Sequence, residues 1–527
     1  MKIKKLLPLS ILIASLSVTG CANFFNNIVS PNVPTPTGTE PLTLQYTIED
    51  LFDRNLYGID CFPSVGDTKT LLIPVYFDDS DKWIGANYKD NVIEDLNTVF
   101  NGTSQETGYE SVKSYYTKMS NGKLNVTATI SDWYHDSNSA YYYGKESDFS
   151  NLTSLIKKAT DWYFNTHEDS RKDYDYDNNG VLDGVIFIYA APDYEQLGIS
   201  SYSNFWAFTS WLQDTNNPAN ITKPVLNQYI WASYDFMYSM DKDAKARTGS
   251  TYGGGDTSHC KLDAHTYIHE FGHILGLEDL YDYGSKSYTP AGVFSMQDYN
   301  VGSHDPFSTI ALGWTEVIVP TETVTVELKS FQDSHQVILL TNNYTGSVFD
   351  EYLLVELYTP TGLNAFDSTY SYRNKFPTGS ALPGVRVWHI DARLATLSFT
   401  GGKTYYHGIT TSPTSRQTGL NNPLYTWAWS NSYEGDMVSI LDGIEEGNVR
   451  DYNIVQLIRD EKRSTYRPRD YLTFANLFTA TETFNIETFK NQFVNGTMLN
   501  NGTEFKWTFK VNSVSLEKAN ITFTLEK

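Results

Sequence analysis

Residues 269–282 read H-E-F-G-H-I-L-G-L-E-D-L-Y-D. On an α-helix His269 and His273 stand one turn apart on the same face. Their imidazoles converge on one point and can share a metal ion at about 2.0–2.1 Å. Glu270 follows the first histidine directly, so it lies beside the metal without being a ligand, where a carboxylate serves as general base on water. Asp263 is the expected N-cap, with Ile268 and Leu275 turned to the core. Gly276 is the residue type that takes positive φ and ends a helix sharply. The chain then turns back and carries Asp279 to the same point as third protein ligand. Two histidines and one carboxylate leave the fourth vertex of a zinc tetrahedron open, as catalytic sites do. The expected cofactor is Zn²⁺, and the expected chemistry is peptide hydrolysis by activated water.

Downstream, Ala291-Gly292-Val293-Phe294-Ser295-Met296 follows Pro290. This resembles the Met-turn of metzincin proteases, with Met296 as a polarisable apolar floor under the ligands. Tyr299 and His304 are read as packing residues. With F-S-M-Q-D-Y-N at 294–300 and A-L-G-W at 311–314, the chain resembles bacterial zinc metallopeptidases of the immune inhibitor A type. Weaker matches are G-D-T-K-T-L-L-I-P-V-Y-F at 66–77, S-V-K-S-Y-Y at 111–116 and G-V-R-V-W-H-I-D at 384–391. The resemblance runs over about 65–527, and only 269–314 is specific. It implies zinc at His269, His273 and Asp279, Glu270 as general base, and secreted proteolysis of extracellular proteins. Glu278 departs from the family, which commonly has Pro there. His389, in one of the weaker matches, is read as structural.

A second cation site is suggested by D-Y-D-N-N-G-V-L-D at 175–183. Asp175, Asp177 and Asn179 alternate, Gly180 permits a tight turn, and Asp183 follows, as in the first nine positions of an EF-hand calcium loop. The position of the bidentate glutamate is Ile186, so a Ca²⁺ ion needs a donor from elsewhere. The other reading is an acidic turn before a strand.

The N-terminus carries Lys2, Lys4 and Lys5, a short apolar run and small residues, the pattern of a secretory signal over 1–20. Val18-Thr19-Gly20-Cys21 resembles a bacterial lipobox, which implies acylation of Cys21 and a lipoprotein held at the extracytoplasmic face of the cell membrane. Pro31, Pro34, Pro36 and Pro41 suggest an extended tether over 21–64. Cys61 and Cys260 either pair in an oxidising compartment or stay as buried thiols. The net charge of -23 repels phosphate backbones and excludes nucleic acid as a partner. No feature points to an oligomer, and a monomer is assumed.

The rest of the chain is mixed. Residues 70–77 read as a strand that Pro74 moves toward an edge or bulge. Val112, Tyr115, Tyr116 and Met119 form a helical stripe stopped by Ser120-Asn121-Gly122. Leu124, Val126, Ala128 and Ile130 alternate as a strand. Leu152, Leu155, Ile156, Ala159 and Tyr163 mark a second helix, and Val185 to Ala190 a second strand. After Trp314 alternation dominates, at Val324, Val326 and Leu328, at Phe505, Trp507, Phe509 and Val511, and at Ile521, Phe523 and Leu525. The expected fold is α+β: a metzincin-like zincin domain over 65–315, then an all-β region of sandwich type over 316–527, as one or two domains. The main rival function is a catalytically inactive surface lipoprotein that binds protein or glycan through its β domains.

Overall fold

A computed structural model describes residues 38–41, 45–52, 60–144, 149–200, 203–212, 218–240, 260–281, 290–292, 294–298, 301–342, 345–372, 378–400, 403–413, 424–428, 431, 453–458 and 477–527. Cys21, the lipobox, most of the tether and Tyr299 lie outside them. Helices and sheets mix throughout, so the molecule is α+β.

The first half is built on a sheet ordered Leu124–Ile130, Gly66–Tyr76, Val185–Tyr189, Gln228–Ser233, Phe208–Trp211. Neighbours run parallel except the last strand, which is antiparallel and lies at the edge. Alternate residues feed two cores. Leu71, Ile73 and Val75 pack with Leu152, Leu155, Ile156, Ala159 and Tyr163 of the Phe149–Thr166 helix. Leu72, Ile186 and Ile230 face Val112, Tyr115, Tyr116 and Met119, and beyond them Ile268 and Phe271. Both helical stripes thus fall where their spacing puts them, and Asn121 and Gly122 end the first at φ 54° and 76°.

Pro74 departs from expectation, because its strand is central. Pairing with Leu124–Ile130 stops at Leu72 and pairing with Tyr134–His135 begins at Val75. The residue without an N–H falls in the gap between two partners, so no ladder bond is lost there.

The second half carries a sheet ordered Thr39–Pro41, Glu316–Pro320, Gln336–Leu340, Glu351–Tyr358, Gly384–Asp391, Val455–Leu457. A smaller sheet, Val324–Lys329, Lys518–Leu525, Trp507–Val514, Thr483–Phe484, packs on one face of it. Leu353, Val355 and Leu357 point to Trp507, Phe509, Ile521 and Phe523. Tyr352 and Leu354 point the other way, into the core that holds Ile268 and Phe271. A strand buried on both faces is apolar throughout, as Glu351–Tyr358 nearly is. Its end residue, Glu351, is held by His389 Nε2 at 2.9 Å and Arg393 at 3.3 Å. That agrees with a structural His389.

One core therefore spans the 315/316 junction. Within the stretch expected as tether, the described residues join the fold: Thr39–Pro41 pairs with Glu316–Pro320, Ile48 and Leu51 enter the core, and Trp314 Nε1 donates to Ser64 O at 2.7 Å. Apolar side chains at 48, 51 and 62 outweigh the prolines as a guide to this segment. Cys61 and Cys260 are buried thiols that do not form a disulfide with each other.

Candidate metal centre

The helix that bears the histidines runs His265–Ile274. Asp263 Oδ1 accepts from the His265 amide at 2.9 Å, so it caps this helix from one residue beyond the N-cap position, which is Ala264. The other end is closed by a reversal at Gly276, φ 95°. The Gly276 amide donates to His273 O at 2.9 Å and the Leu277 amide to Gly272 O at 3.0 Å. This pair of bonds is the Schellman arrangement, which uses up orphan carbonyls at the helix end. It also turns the chain so that Asp279 comes back over the histidines.

The three side chains converge. Asp279 Oδ1 lies 3.0 Å from His269 Nε2 and 3.3 Å from His273 Nε2, and the two Nε2 atoms are 3.3 Å apart. A tetrahedral ion with bonds of about 2.0–2.1 Å has ligand–ligand edges of about 3.3–3.4 Å, so the donor set fits zinc in size as well as in chemistry. Both rings are held by main-chain carbonyls: His269 Nδ1 donates to Met296 O at 2.8 Å and His273 Nδ1 to Leu277 O at 2.7 Å. That leaves each Nε2 lone pair for a metal, the orientation that outer hydrogen bonds give ligating histidines. Without a metal, Asp279 is held well below the usual carboxylate range although burial opposes it, because His273 and His269 surround it. His273 is raised to about 10; burial pulls it down, and Asp279 more than compensates.

Met296 is fully buried, and it grips His269 through its carbonyl oxygen. Its neighbour Gln297 was not singled out by sequence, yet Gln297 O accepts from the Leu280 amide at 2.8 Å and Gln297 Nε2 donates to His269 O at 3.2 Å. Gly272 is what lets this turn approach: a Cβ there would meet Gln297 Oε1 at 2.3 Å. His304 is buried against Tyr115 and Tyr116 and is not among the converging ligands. Glu278 is exposed and likewise outside the triad.

Glu270 is buried beside the triad, and burial pushes its carboxyl up against the pull of His273 and His269. Thr209, on the edge strand Phe208–Trp211, donates to Glu270 Oε2 at 3.1 Å and to Glu270 O at 3.0 Å. No local motif marks Thr209; only the sheet order brings it there. The acidic loop also gathers. One oxygen each from Asp60, Asp177 and Asp183 lie within 4.8 Å of one another. The carboxyl of Asp183 is pushed up to about 9, by burial first and then by Asp60, Asp177 and Asp175.

No protein-family model matches the chain. The chain is similar to the pre-pro-metalloprotease PrtV of Vibrio cholerae serotype O1, in strains M66-2 and El Tor Inaba N16961, at 23% identity over 232 residues. The match covers 40% of this chain, and the chain spans 22% of the length of those relatives. A distant relationship to a bacterial metallopeptidase follows.

Proposed function

We propose that the protein is an exported zinc-dependent endopeptidase of metzincin-like design, tethered to the outer face of a bacterial membrane through acylated Cys21, and that it cleaves extracellular proteins. The observation that carries this reading is the convergence of His269, His273 and Asp279 at 3.0–3.3 Å, with Glu270 buried alongside. A zinc ion held by those three residues supplies Lewis acidity toward water and the scissile carbonyl. Glu270 takes the proton of the attacking water and returns it to the leaving amine; a carboxyl raised by burial suits both tasks. Thr209 fixes the Glu270 carboxylate while it does so. The Phe208–Trp211 edge offers main-chain groups on which an extended substrate adds as a further strand, presenting its peptide bonds to the centre. A cavity of about 160 Å³ beside the Asp279 turn, lined by Trp211, Leu277, Leu280, Phe307 and Phe349, suits an apolar side chain.

The test is casein cleavage by the purified protein with and without a chelator, alongside Glu270→Gln. Cleavage that stops with chelator, returns with zinc and is lost in the variant supports the proposal. Cleavage insensitive to chelator, or full activity in Glu270→Gln, removes the mechanism, and no cleavage under any condition leaves a binding lipoprotein as the better reading.

A further inference from the structure

We propose that Asp60 completes a calcium site on the Asp175–Asp183 loop, and that calcium held there clamps the C-terminal end of the His265–Ile274 helix. The donors are all oxygen, which selects a hard cation over zinc. The oxygens of Asp60, Asp177 and Asp183 lie within 4.8 Å of one another. Three carboxylate oxygens gathered this closely can share one cation, and calcium accepts such oxygen sets in flexible geometry. Asp60 thus stands in for the carboxylate that an EF-hand has at its last position, where this chain has Ile186.

An independent observation asks for a cation. Asp175 is 4% exposed, and its Oδ2 accepts from the Gly180 amide at 3.2 Å. Its Oδ1 is buried and has no hydrogen-bond partner. Asp175 stands close enough to Asp177 and Asp183 to disfavour the charge on both. A buried carboxylate oxygen left without a donor near other carboxylates is strongly unfavourable unless a cation shares the space. Meanwhile the Asn179 amide nitrogen donates to both Asp60 and Asp177. A half-turn of that amide presents Oδ1 to the same place.

The loop is wired to the helix end. Asp60 O accepts from Trp211 Nε1 at 2.8 Å and from Gln228 Nε2 at 3.3 Å. Gln228 Nε2 also donates to Ile274 O at 2.9 Å, and the Phe62 amide reaches the same oxygen at 2.6 Å. The Phe62 ring packs against Tyr176 of the loop, centroids 6.2 Å apart, and against Phe271 of the helix at 5.1 Å. Gly184, just past the loop, sits so close that a Cβ would lie 2.9 Å from Ile274 Cδ1. Fixing Asp60 therefore fixes the residues that hold Ile274 O, the last carbonyl of the helix.

The experiment is calcium titration by calorimetry on the purified chain, with amide hydrogen exchange read over 265–281 in the presence and absence of calcium. It needs no zinc and no catalysis, so it stands or falls apart from the peptidase reading. The wild-type protein is expected to bind one calcium ion and to show slower exchange at the helix end. Asp60→Asn is expected to weaken binding by roughly tenfold or more and to abolish the exchange effect, with Asp50→Asn as a control that changes neither. Absence of calcium binding in the wild type, unchanged affinity in Asp60→Asn, or binding without slower exchange at the helix end overturns the proposal. Should Asp60→Asn fail to fold, Asp175→Asn and the wild-type exchange decide in the same terms.

Discussion

The two turns that gather candidate metal ligands are built on one plan and completed in different ways. Both reverse the chain at a glycine with positive φ, Gly276 at 95° and Gly180 at 90°. In the first, every donor comes from the stretch 269–279, and main-chain carbonyls aim both imidazoles. In the second, the local donors fall short, and Asp60 arrives from a distant part of the chain. A nitrogen-rich set at tetrahedral spacing suits zinc, and an all-oxygen set suits calcium. The lesson is that a self-contained turn fixes its own chemistry, while an incomplete one makes its chemistry a property of the tertiary fold.

The largest effect separates the two centres outright. His273→Ala is expected to abolish zinc binding and leave calcium binding intact, as read by metal analysis of the dialysed variant; loss of both ions would mean that the sites are not distinct. Glu270→Gln is expected to lower peptide cleavage by about 10²–10⁴-fold with zinc retained, measured as kcat on a fluorogenic peptide. A fall of less than tenfold would show that Glu270 is not the base.

Next comes the Met-turn contact. Ala is normally better than Gly inside a helix by about 1 kcal/mol. At Gly272 the new Cβ meets Gln297 Oε1 at 2.3 Å, so Gly272→Ala is expected to destabilise by about 1–3 kcal/mol and to weaken zinc affinity. A variant as stable as wild type in urea unfolding would contradict the packing described here. Gly276→Ala should cost about 1–2 kcal/mol, the penalty of a left-handed conformation on a residue with a Cβ.

Acid should also weaken the fold through two buried histidines. His304 is pushed down to about 3, and His335 to about 4, in both cases by burial first. The unfolded chain takes up these protons near pH 6.5, whereas the folded chain resists. Their contribution is intact above about pH 6.5 and lost as pH falls toward 4, at about 1.4 kcal/mol per pH unit for each histidine. Unfolding free energies at pH 7 and pH 5 check this. His335→Asn, which suits the φ of 51° at that position, should flatten the dependence; an unchanged slope would show that His335 does not contribute.

Much of the zinc-type site was legible because its parts are neighbours in sequence. Helical spacing placed His269 and His273, and the need for positive φ singled out Gly276. Thr209, Gln297 and Asp60 were not legible, since each reaches its place through sheet order or a tertiary contact and none carries a local pattern. The helical stripes were readable from periodicity. Pro74 misled because proline rules concern the unpaired N–H, and two short neighbours share the side of the strand where that N–H would lie. Prolines suggest a tether before residue 65, but burial of Ile48, Leu51 and Phe62 ties those residues to the core.

Metal analysis of the purified protein after dialysis against zinc, combined with zinc K-edge absorption spectroscopy, addresses the triad most directly. One zinc per chain with two imidazole nitrogens, a carboxylate oxygen and a light-atom fourth ligand is the predicted result, unchanged in Glu270→Gln. Absence of zinc, or zinc held without imidazole, would contradict it.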